Sequence, residues 1–243
     1  MTFSYQNEPA IQELDSVFNE TFMNVMRHVY LWMCLGLFVT AFVSMALVYT
    51  QLSFLLVQIL QVPFLFIGLL IGEVALVWWL SARIGTMSVG ASRIGFLFYA
   101  LLNGITMSVI FLAYTESSIA LTFITTACVF GAMGIIGYTT KLDLSKWGSY
   151  LLMGLIGFII GSIVNMFLAS STLEWMLTYA GIVLFIGLTV YDTQRIKRMV
   201  VAAMRSSDQT AVQRVGLLGA LRLYLDFINL FLLLLRLMGG RRR

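Results

Sequence analysis

Seven long apolar runs constrain the fold of this chain more than any other feature. A helix that crosses the hydrocarbon core of a bilayer needs about 20 mostly apolar residues. The runs cover residues 29–50, 54–82, 94–115, 118–139, 147–169, 173–194 and 217–238. A transmembrane barrel would instead show segments of about ten residues in which apolar and polar side chains alternate. The pattern therefore predicts an all-α fold, a polytopic membrane protein with a seven-transmembrane-helix bundle over residues 29–238.

The composition supports this class and leaves only short segments outside the bundle. Apolar residues make up 60% of the chain and charged residues 11%, and the mean hydropathy is +0.94, which a soluble domain does not reach. Residues 1–28 are polar and acid-rich, and they lack the basic start and short apolar run of a signal peptide. We interpret residues 1–28 as a cytoplasmic N-terminal tail and residues 239–243 as a basic C-terminal tip.

The positions of lysine and arginine predict the topology. Basic residues follow the second, fourth and sixth runs, whereas the connections after the first, third and fifth runs have none. Cytoplasmic loops are the ones enriched in Lys and Arg, so the N-terminus should be cytoplasmic. Seven full crossings would place the arginines of the C-terminal tip outside, against this rule. Either the last run is re-entrant or the first six runs determine the orientation, and we favour a full crossing. The net charge of +4 is then explained by a rim that faces anionic lipid, with no nucleic-acid partner.

Apart from Glu174 at the edge of the sixth run, three acidic residues lie within the apolar runs, namely Glu73, Asp192 and Asp226. Ionisable residues at membrane depth are costly, so each one is a functional candidate. Helical side chains lean toward the N-terminus of their helix, and Asp192 and Asp226 lie on consecutive antiparallel spans, so the two carboxyl groups should converge. Two carboxylates this close in a low dielectric cannot both ionise cheaply, and we expect them to share a proton. Such a pair is a pH-operated latch, and when deprotonated it offers a weak oxygen site for calcium.

Simpler roles for these acids remain open. Asp192 has Arg195 three residues later, and Asp226 has Arg222 four residues earlier, so each aspartate could form an ion pair within its own helix. Glu73 could be inert or structural, or it could pair with Arg83, although a spacing of ten residues places Arg83 on a different helix face.

Two asparagines and several glycines complete the set of candidates. Asn103 lies near the depth of Glu73, and Asn229 follows Asp226 by three residues on the same helix face. Hydrogen bonding between helices is the simplest role for both amides. The spacings "GAMGIIG" (131–137) and "GFIIG" (157–161) favour close approach of helices.

Catalytic chemistry is not indicated. "YD" at 191–192 matches half of what an intramembrane aspartyl protease requires, but the second aspartate lies in "LYLDF" rather than in a Gly-x-Gly-Asp turn. Metalloprotease, nucleophile-elbow and nucleotide-binding motifs do not occur. The single histidine, His28, lies close to the N-terminal tail, which excludes a buried triad. We predict that the chain is not an enzyme and needs no cofactor.

Three motifs resemble those of a known family. They are "YDTQ" (191–194), "YLDFINLFLLLLR" (224–236) and "GYTTKLDLS" (137–145). Together with seven spans and a basic tip, they look like the transmembrane Bax inhibitor motif family, in its bacterial Bax inhibitor-1-like branch. The resemblance covers nearly the whole chain after the tail.

The resemblance implies a fold with the last helix central and a pH-dependent calcium leak. Carried over by motif, Asp192 and Asp226 would be the pH sensor, and Glu73 and Arg83 would lie beside the conduction path. Some bacterial members are linked to modulation of a membrane-bound AAA protease, and eukaryotic ones to suppression of cell death. The short acidic tail fits a bacterial plasma (inner) membrane.

Two hypotheses follow. The first is a pH-sensitive calcium leak channel gated by Asp192 and Asp226, with an ion pathway that includes Glu73, Arg83, Asn103 and Asn229. The alternative is a non-conducting membrane adaptor that modulates a membrane-bound protease or stress-response complex, with the acidic tail as its docking segment.

Overall fold

The computed structural model describes residues 8–50, 54, 58, 61–140, 142–206, 208 and 210–242, with only the backbone described at 8–17 and 63. Within these ranges the chain forms seven α-helices that are long and apolar enough to cross a membrane. They are α1 (Glu8–Tyr49), α2 (Pro63–Arg83), α3 (Val89–Ala113), α4 (Glu116–Thr139), α5 (Trp147–Leu168), α6 (Ser171–Met204) and α7 (Ala211–Met238). A 3₁₀ turn, Leu144–Lys146, precedes α5. The seven-helix membrane bundle predicted from the apolar runs is confirmed.

Several helices extend beyond the apolar runs that predict them. The apolar part of α1 begins at Phe18, within the predicted tail, because Phe22, Val25 and Val29 form one buried stripe. The last turns of α6 continue past the predicted end at 194, and Ile196 and Val200 are buried there. Amphipathic turns of this kind have too many polar residues to register as an apolar run. The acidic side chains at 8, 13 and 15, Lys141 and parts of the predicted second span lie outside the described residues.

Polar caps set the short connections between helices. Ser88 accepts a hydrogen bond from Ala91 N (3.2 Å) at the start of α3, and Thr115 accepts one from Ser118 N (3.4 Å) at the start of α4. Ser170 caps α6 in the same way. These side chains satisfy amide groups that the first turn of a helix leaves unpaired. Ala169 adopts left-handed backbone angles (φ 48°), which ends α5 and turns the chain directly into α6.

Helix α7 is the central helix of the bundle. In its most apolar window 72% of the residues are buried, whereas the corresponding window of α5 has none buried. Its neighbours are α1, α3, α4 and α6. The Tyr224 ring packs edge-to-face on Phe96 of α3, and Phe227 packs in the same manner on Phe130 of α4. Any helix that holds a functional side chain in this bundle therefore contacts α7 or one of its direct neighbours.

The end of α7 decides between a full crossing and a re-entrant segment. The chain after α7 pairs with the α3–α4 connection, where Tyr114 and Arg241 form an isolated antiparallel bridge. Arg242 donates to Glu116 (3.1 Å) and to Tyr49 (3.3 Å), the last residue of α1. The start of α7 instead lies against the first turns of the apolar part of α1. Helix α7 therefore crosses the whole bundle, and it is not re-entrant.

At the end of the bundle where α7 finishes, acidic side chains balance the positive charge of nearby arginines. Arg242 pairs with Glu116 at 3.1 Å, and Arg236 pairs with Glu174 at 3.7 Å. Both pairs are largely exposed, so each contributes little to stability. They do show how arginines are accommodated at the end of the bundle that otherwise lacks basic loops.

Candidate functional site

A partly open cleft of about 700 Å³ lies between α2, α5, α6 and α7. Apolar side chains form most of its wall, and the polar groups gather toward the end that carries the 3₁₀ turn. These polar residues are Ser81, Tyr99, Ser145, Ser149, Tyr191, Asp192, Arg195, Arg222, Asp226 and Asn229. Ser145 and Arg195 place the mouth at the end with the basic connections. The predicted pair, Asp192 and Asp226, therefore lines a single cavity.

Arg222 joins the two helices of the site. Its Nη1 lies 3.5 Å from Oδ1 of Asp192, so the ion pair runs from α7 to α6. The Asp192 side chain is only 9% exposed and that of Arg222 23% exposed, so water screens this pair less than a surface pair. An arginine placed four residues before an acid is the less favourable order for a pair within one helix. Among the described residues, neither Asp192 with Arg195 nor Asp226 with Arg222 comes within ion-pair distance, so the same-helix alternative is not what forms.

Asp226 is the unsatisfied member of the site. It is buried, and its Oδ2 has no hydrogen-bond partner among the described residues. Arg222 Nε is unsatisfied in the same way. Asp192 is close enough for the two carboxylate charges to interact, but no direct hydrogen bond joins the two groups in the described structure. Buried polar atoms without partners are rare and call for an explanation. In place of a carboxyl–carboxyl bond, the cleft holds two acids and one guanidinium that forms an ion pair with Asp192 alone.

A second cleft, of about 540 Å³, opens at the other end of α5, α6 and α7. Glu174 and Arg236 lie at its outer part, and Phe158 and Asn229 lie on its inner wall. Phe158 and Asn229 also line the first cleft. The two clefts therefore meet at these residues, and Asn229, a predicted pathway residue, lies at the junction. Its Nδ2 is held by a hydrogen bond to Leu225 O (2.8 Å).

The other predicted pathway residues lie away from the cleft. Glu73 shares a helical stripe with Leu76, Leu80 and Ile84, which packs toward the core. The α2 residues that line the cleft are Val74, Val77 and Ser81. Arg83 lies exposed at the end of α2. The described wall of the cleft thus includes neither residue, nor Asn103.

Glu73 and Asn103 instead belong to a buried hydrogen-bond network. The Thr106 hydroxyl lies 3.0 Å from Glu73 Oε1 and 2.9 Å from the Asn103 carbonyl. Tyr224 donates to Asn103 Oδ1 (3.0 Å), and its hydroxyl lies 2.6 Å from Thr40 Oγ1. The network links α1, α2, α3 and α7, which is the interhelical role expected for buried amides.

Sequence reasoning found Arg222 only as a same-helix partner and did not find Tyr224, Thr40 or Thr106. Hydroxyl groups inside an apolar run were the available signal. They are common in membrane helices, where a threonine often bonds its own helix, as Thr126 does with Thr122 O (2.7 Å). Only the packing of four helices shows which hydroxyl groups form a shared network.

Comparison with known proteins identifies the family. The family model described as inhibitor of apoptosis-promoting Bax1 matches residues 22–243. The chain is 48% identical over 218 residues to the inner membrane protein YbhL of Escherichia coli (strain K12), a match that covers 89% of this chain and 92% of YbhL. It is 45% identical over 177 residues to an uncharacterized protein of Borreliella burgdorferi, covering 73% and 75% of the two chains. An uncharacterized protein of Deinococcus radiodurans is 35% identical over 216 residues, covering 89% and 90%.

The family-model match, at residues 22–243, includes the whole of α6 and α7 and the 3₁₀ turn that lines the cleft. The resemblance inferred from "YDTQ", "YLDFINLFLLLLR" and "GYTTKLDLS" is therefore confirmed. The chain is an integral membrane protein that belongs to the Bax inhibitor-1 family.

Proposed function

We propose that the protein is a pH-sensitive cation leak of a bacterial inner membrane, with calcium as the permeant ion and its N-terminus in the cytoplasm. One observation carries the proposal. A buried carboxylate oxygen of Asp226 has no partner, although it lies in an open cleft beside the Arg222–Asp192 ion pair. The relative from Escherichia coli is named an inner membrane protein, which supports the same membrane for this chain.

The charge of the site explains how a proton would act. With one proton shared, Asp192, Asp226 and Arg222 together are neutral. With both carboxylates ionised, the three groups carry a net charge of −1, and one acid has no cation of its own. Uncompensated negative charge in a low dielectric repels its neighbour and attracts a cation. Deprotonation would therefore loosen α7 from α6 and favour entry of an ion.

The two clefts would together form the pathway for the cation. One opens at the basic end of the bundle and the other at the opposite end, and they meet at Phe158 and Asn229. A movement of α7 relative to α5 and α6 would widen this junction. The asparagine amide would then offer an oxygen to an ion that passes the phenylalanine ring.

A leak fits the ligands better than a tight calcium site. Calcium takes six to eight oxygen ligands in a closed site. Among the described residues, no three His, Cys, Asp or Glu side chains lie close enough to hold a metal ion. Arg195 also lines the cleft and weakens attraction for a cation. Asp192 and Asp226 would hold calcium only in passing.

Calcium flux into liposomes tests the proposal. Full-length protein is reconstituted around an internal calcium dye, and the initial rate is measured from about pH 6 to pH 8. The rate should rise with pH, because the shared proton is released over this interval. Asp226→Asn should abolish the pH dependence. Glu20→Gln, which changes an exposed acid on α1, should leave it unchanged.

Absence of flux above that of protein-free liposomes at every pH would overturn the leak. That result would favour the non-conducting adaptor, in which the acid pair only holds the bundle together and the partner is a membrane-bound protease. In that hypothesis the docking segment would include the first turns of α1, which begins at Glu8, ten residues before its apolar part at Phe18. Capture of such a protease by the intact chain, and its loss on removal of residues 1–17, would support the adaptor.

A further inference from the structure

We propose that a third cavity, separate from the two clefts, is a binding site for the phosphate group of an anionic lipid. This cavity, of about 260 Å³, lies between α1, α3 and the start of α7. It shares no lining residue with the cleft that holds the aspartates. The inference does not depend on ion conduction.

The lining of the cavity has the chemistry that an anion requires. One guanidinium, one imidazole and three neutral polar side chains face it, and no carboxylate is among the described lining residues. The polar residues are Thr21, Asn24, His28, Arg93 and Gln213. Arg93 has no ion-pair partner in the described part of the chain, and its guanidinium lies 5.6 Å from the centre of the Trp32 ring. Stacking on an indole holds a guanidinium in place while its N–H groups remain available to a phosphate.

A glycine provides the room for a ligand. A Cβ atom built at Gly216 would meet no atom closer than His28 Cβ at 3.9 Å, although Gly216 is buried within the bundle. Gly219, three residues later, would place its Cβ 3.0 Å from both Ile196 and Val29. Gly219 thus allows close packing of helices, whereas Gly216 leaves space that no protein atom fills. Any larger side chain at 216 would occupy the cavity.

The position of the cavity favours a lipid as the source of the phosphate. Arg93 lies near the start of α3, at the end of the bundle that carries the basic connections, which is the level of lipid headgroups. Deeper along the same two helices, Leu35 of α1 and Phe98 of α3 are 41% and 51% exposed. Acyl chains of a bound lipid would cover such apolar side chains. His28 Nδ1 donates to the Asn24 carbonyl (2.8 Å), which leaves Nε2 as an acceptor for a hydroxyl of the headgroup.

Native mass spectrometry of the full chain in detergent tests the proposal. The protein is titrated with phosphatidylglycerol, with phosphatidylcholine, and with phosphatidylglycerol in the presence of excess inorganic phosphate. One phosphatidylglycerol should be retained in preference to phosphatidylcholine. Arg93→Gln should weaken this binding about tenfold, the size expected for loss of a charge-assisted hydrogen bond near water. Gly216→Leu should weaken it as much by filling the cavity, with Arg93 intact.

Matched controls separate the site from general charge effects. Arg27→Gln removes a cation at the same end of α1 that does not line the cavity, and should change the affinity less than about twofold. Melting temperatures of all variants show that they are folded. Equal binding by wild type, Arg93→Gln and Gly216→Leu would overturn the site. Complete displacement of the lipid by inorganic phosphate would overturn the lipid source and identify a soluble phosphate ligand.

Discussion

Arg222 determines the charge balance of the cleft, because it is the cation closest to both acids. It pairs with Asp192 across the α6–α7 interface at 3.5 Å, and Asp226 remains without a partner for Oδ2. Breaking a buried ion pair by removing one member costs about 3–5 kcal/mol, because the remaining charge is buried alone. Partial exposure of the Arg222 side chain reduces this cost.

Arg222→Gln should therefore lower the free energy of unfolding by about 2 kcal/mol when both acids are ionised. Under the proposed shared-proton mechanism the loss should be larger near pH 8 than near pH 6. Melting temperature in detergent at the two pH values measures both effects. Arg195→Gln, which removes a cleft arginine that forms no ion pair in the described structure, is the matched control and should cost less than half as much. Equal melting of Arg222→Gln and wild type at both pH values would contradict this role.

Asp208 predicts a different pH response, because it lies in the α6–α7 connection outside the spans. Hydrogen bonds from the Thr210 side chain and backbone, together with the charge of Arg214, hold the pKa of Asp208 below its ordinary 3.8. A group with a lowered pKa in the folded state stabilises fully above its unfolded pKa and loses this effect as pH falls through the folded value, here below about pH 4. Asp208→Asn should therefore lower the melting temperature equally near pH 6 and pH 8. A shift in the pH profile of calcium flux in this variant would show that the profile does not arise from the cleft.

At the scale of residues, sequence reasoning could predict which charged groups lie at membrane depth but not which residues they contact. Asp192, Asp226 and Glu73 were identifiable because charges at membrane depth are costly. Their partners depend on the rotation of each helix about its axis. Arg222 reaches Asp192 rather than its own-helix neighbour, and Glu73 faces α3 rather than the cleft. A run that is apolar on every face gives no signal for that rotation.

At the scale of elements, close helix contacts depend on individual glycines rather than on the glycine pattern. A Cβ at Gly137 would lie 2.8 Å from Val190 O and 2.9 Å from Thr193 Cβ, so α4 and α6 touch there. Gly131, six residues earlier in "GAMGIIG", has nothing within 4 Å. In "GFIIG" the Gly161 site is tight against Leu177, and the Gly157 site is open. The spacing predicted close packing for both motifs, and three of their five glycines, Gly134, Gly137 and Gly161, provide it.

Gly137→Ala should destabilise the protein by about 1–3 kcal/mol, because a backbone carbonyl cannot move away without separating α4 from α6. Gly131→Ala should be neutral or slightly stabilising, since alanine favours a helix more than glycine does. Thermal unfolding of the two variants under identical conditions makes the comparison. If both variants melt together, the α4–α6 contact does not depend on Gly137.

The helix boundaries show what apolar runs cannot predict about the helices. Apolar runs predicted all seven spans, since the bilayer fixes the required length. They missed the amphipathic turns at the start of α1 and the end of α6, where Phe22 and Ile196 are buried among polar neighbours. Burial in these turns comes from contacts between the helix ends, which a count of apolar residues in one segment does not register.

At the scale of the whole molecule, the two ends of the chain lie at opposite ends of the bundle. The apolar part of α1 begins beside the start of α7, and the C-terminal tip pairs with the α3–α4 connection. Basic connections mark the first end, and Glu116 and Glu174 hold arginines at the other. From the positive-inside rule we expect the C-terminus to lie outside the cytoplasm.

Reporter fusions after residue 243 test this orientation. Alkaline phosphatase, which is active only outside the cytoplasm, should be active there, and green fluorescent protein should be dark. The same reporters placed in the connection between α6 and α7 should behave in the opposite way. Fluorescence from the C-terminal fusion would reverse the assigned orientation of the clefts.

The central claim is that Asp192 and Asp226 hold one exchangeable proton, and an infrared pH titration of the purified protein tests it most directly. The account predicts one protonated carboxyl group that is present near pH 6, is lost by about pH 8, is absent in Asp226→Asn and persists in Glu73→Gln. A wild-type spectrum without a protonated carboxyl group in this interval, or one that Asp226→Asn leaves unchanged, would contradict it.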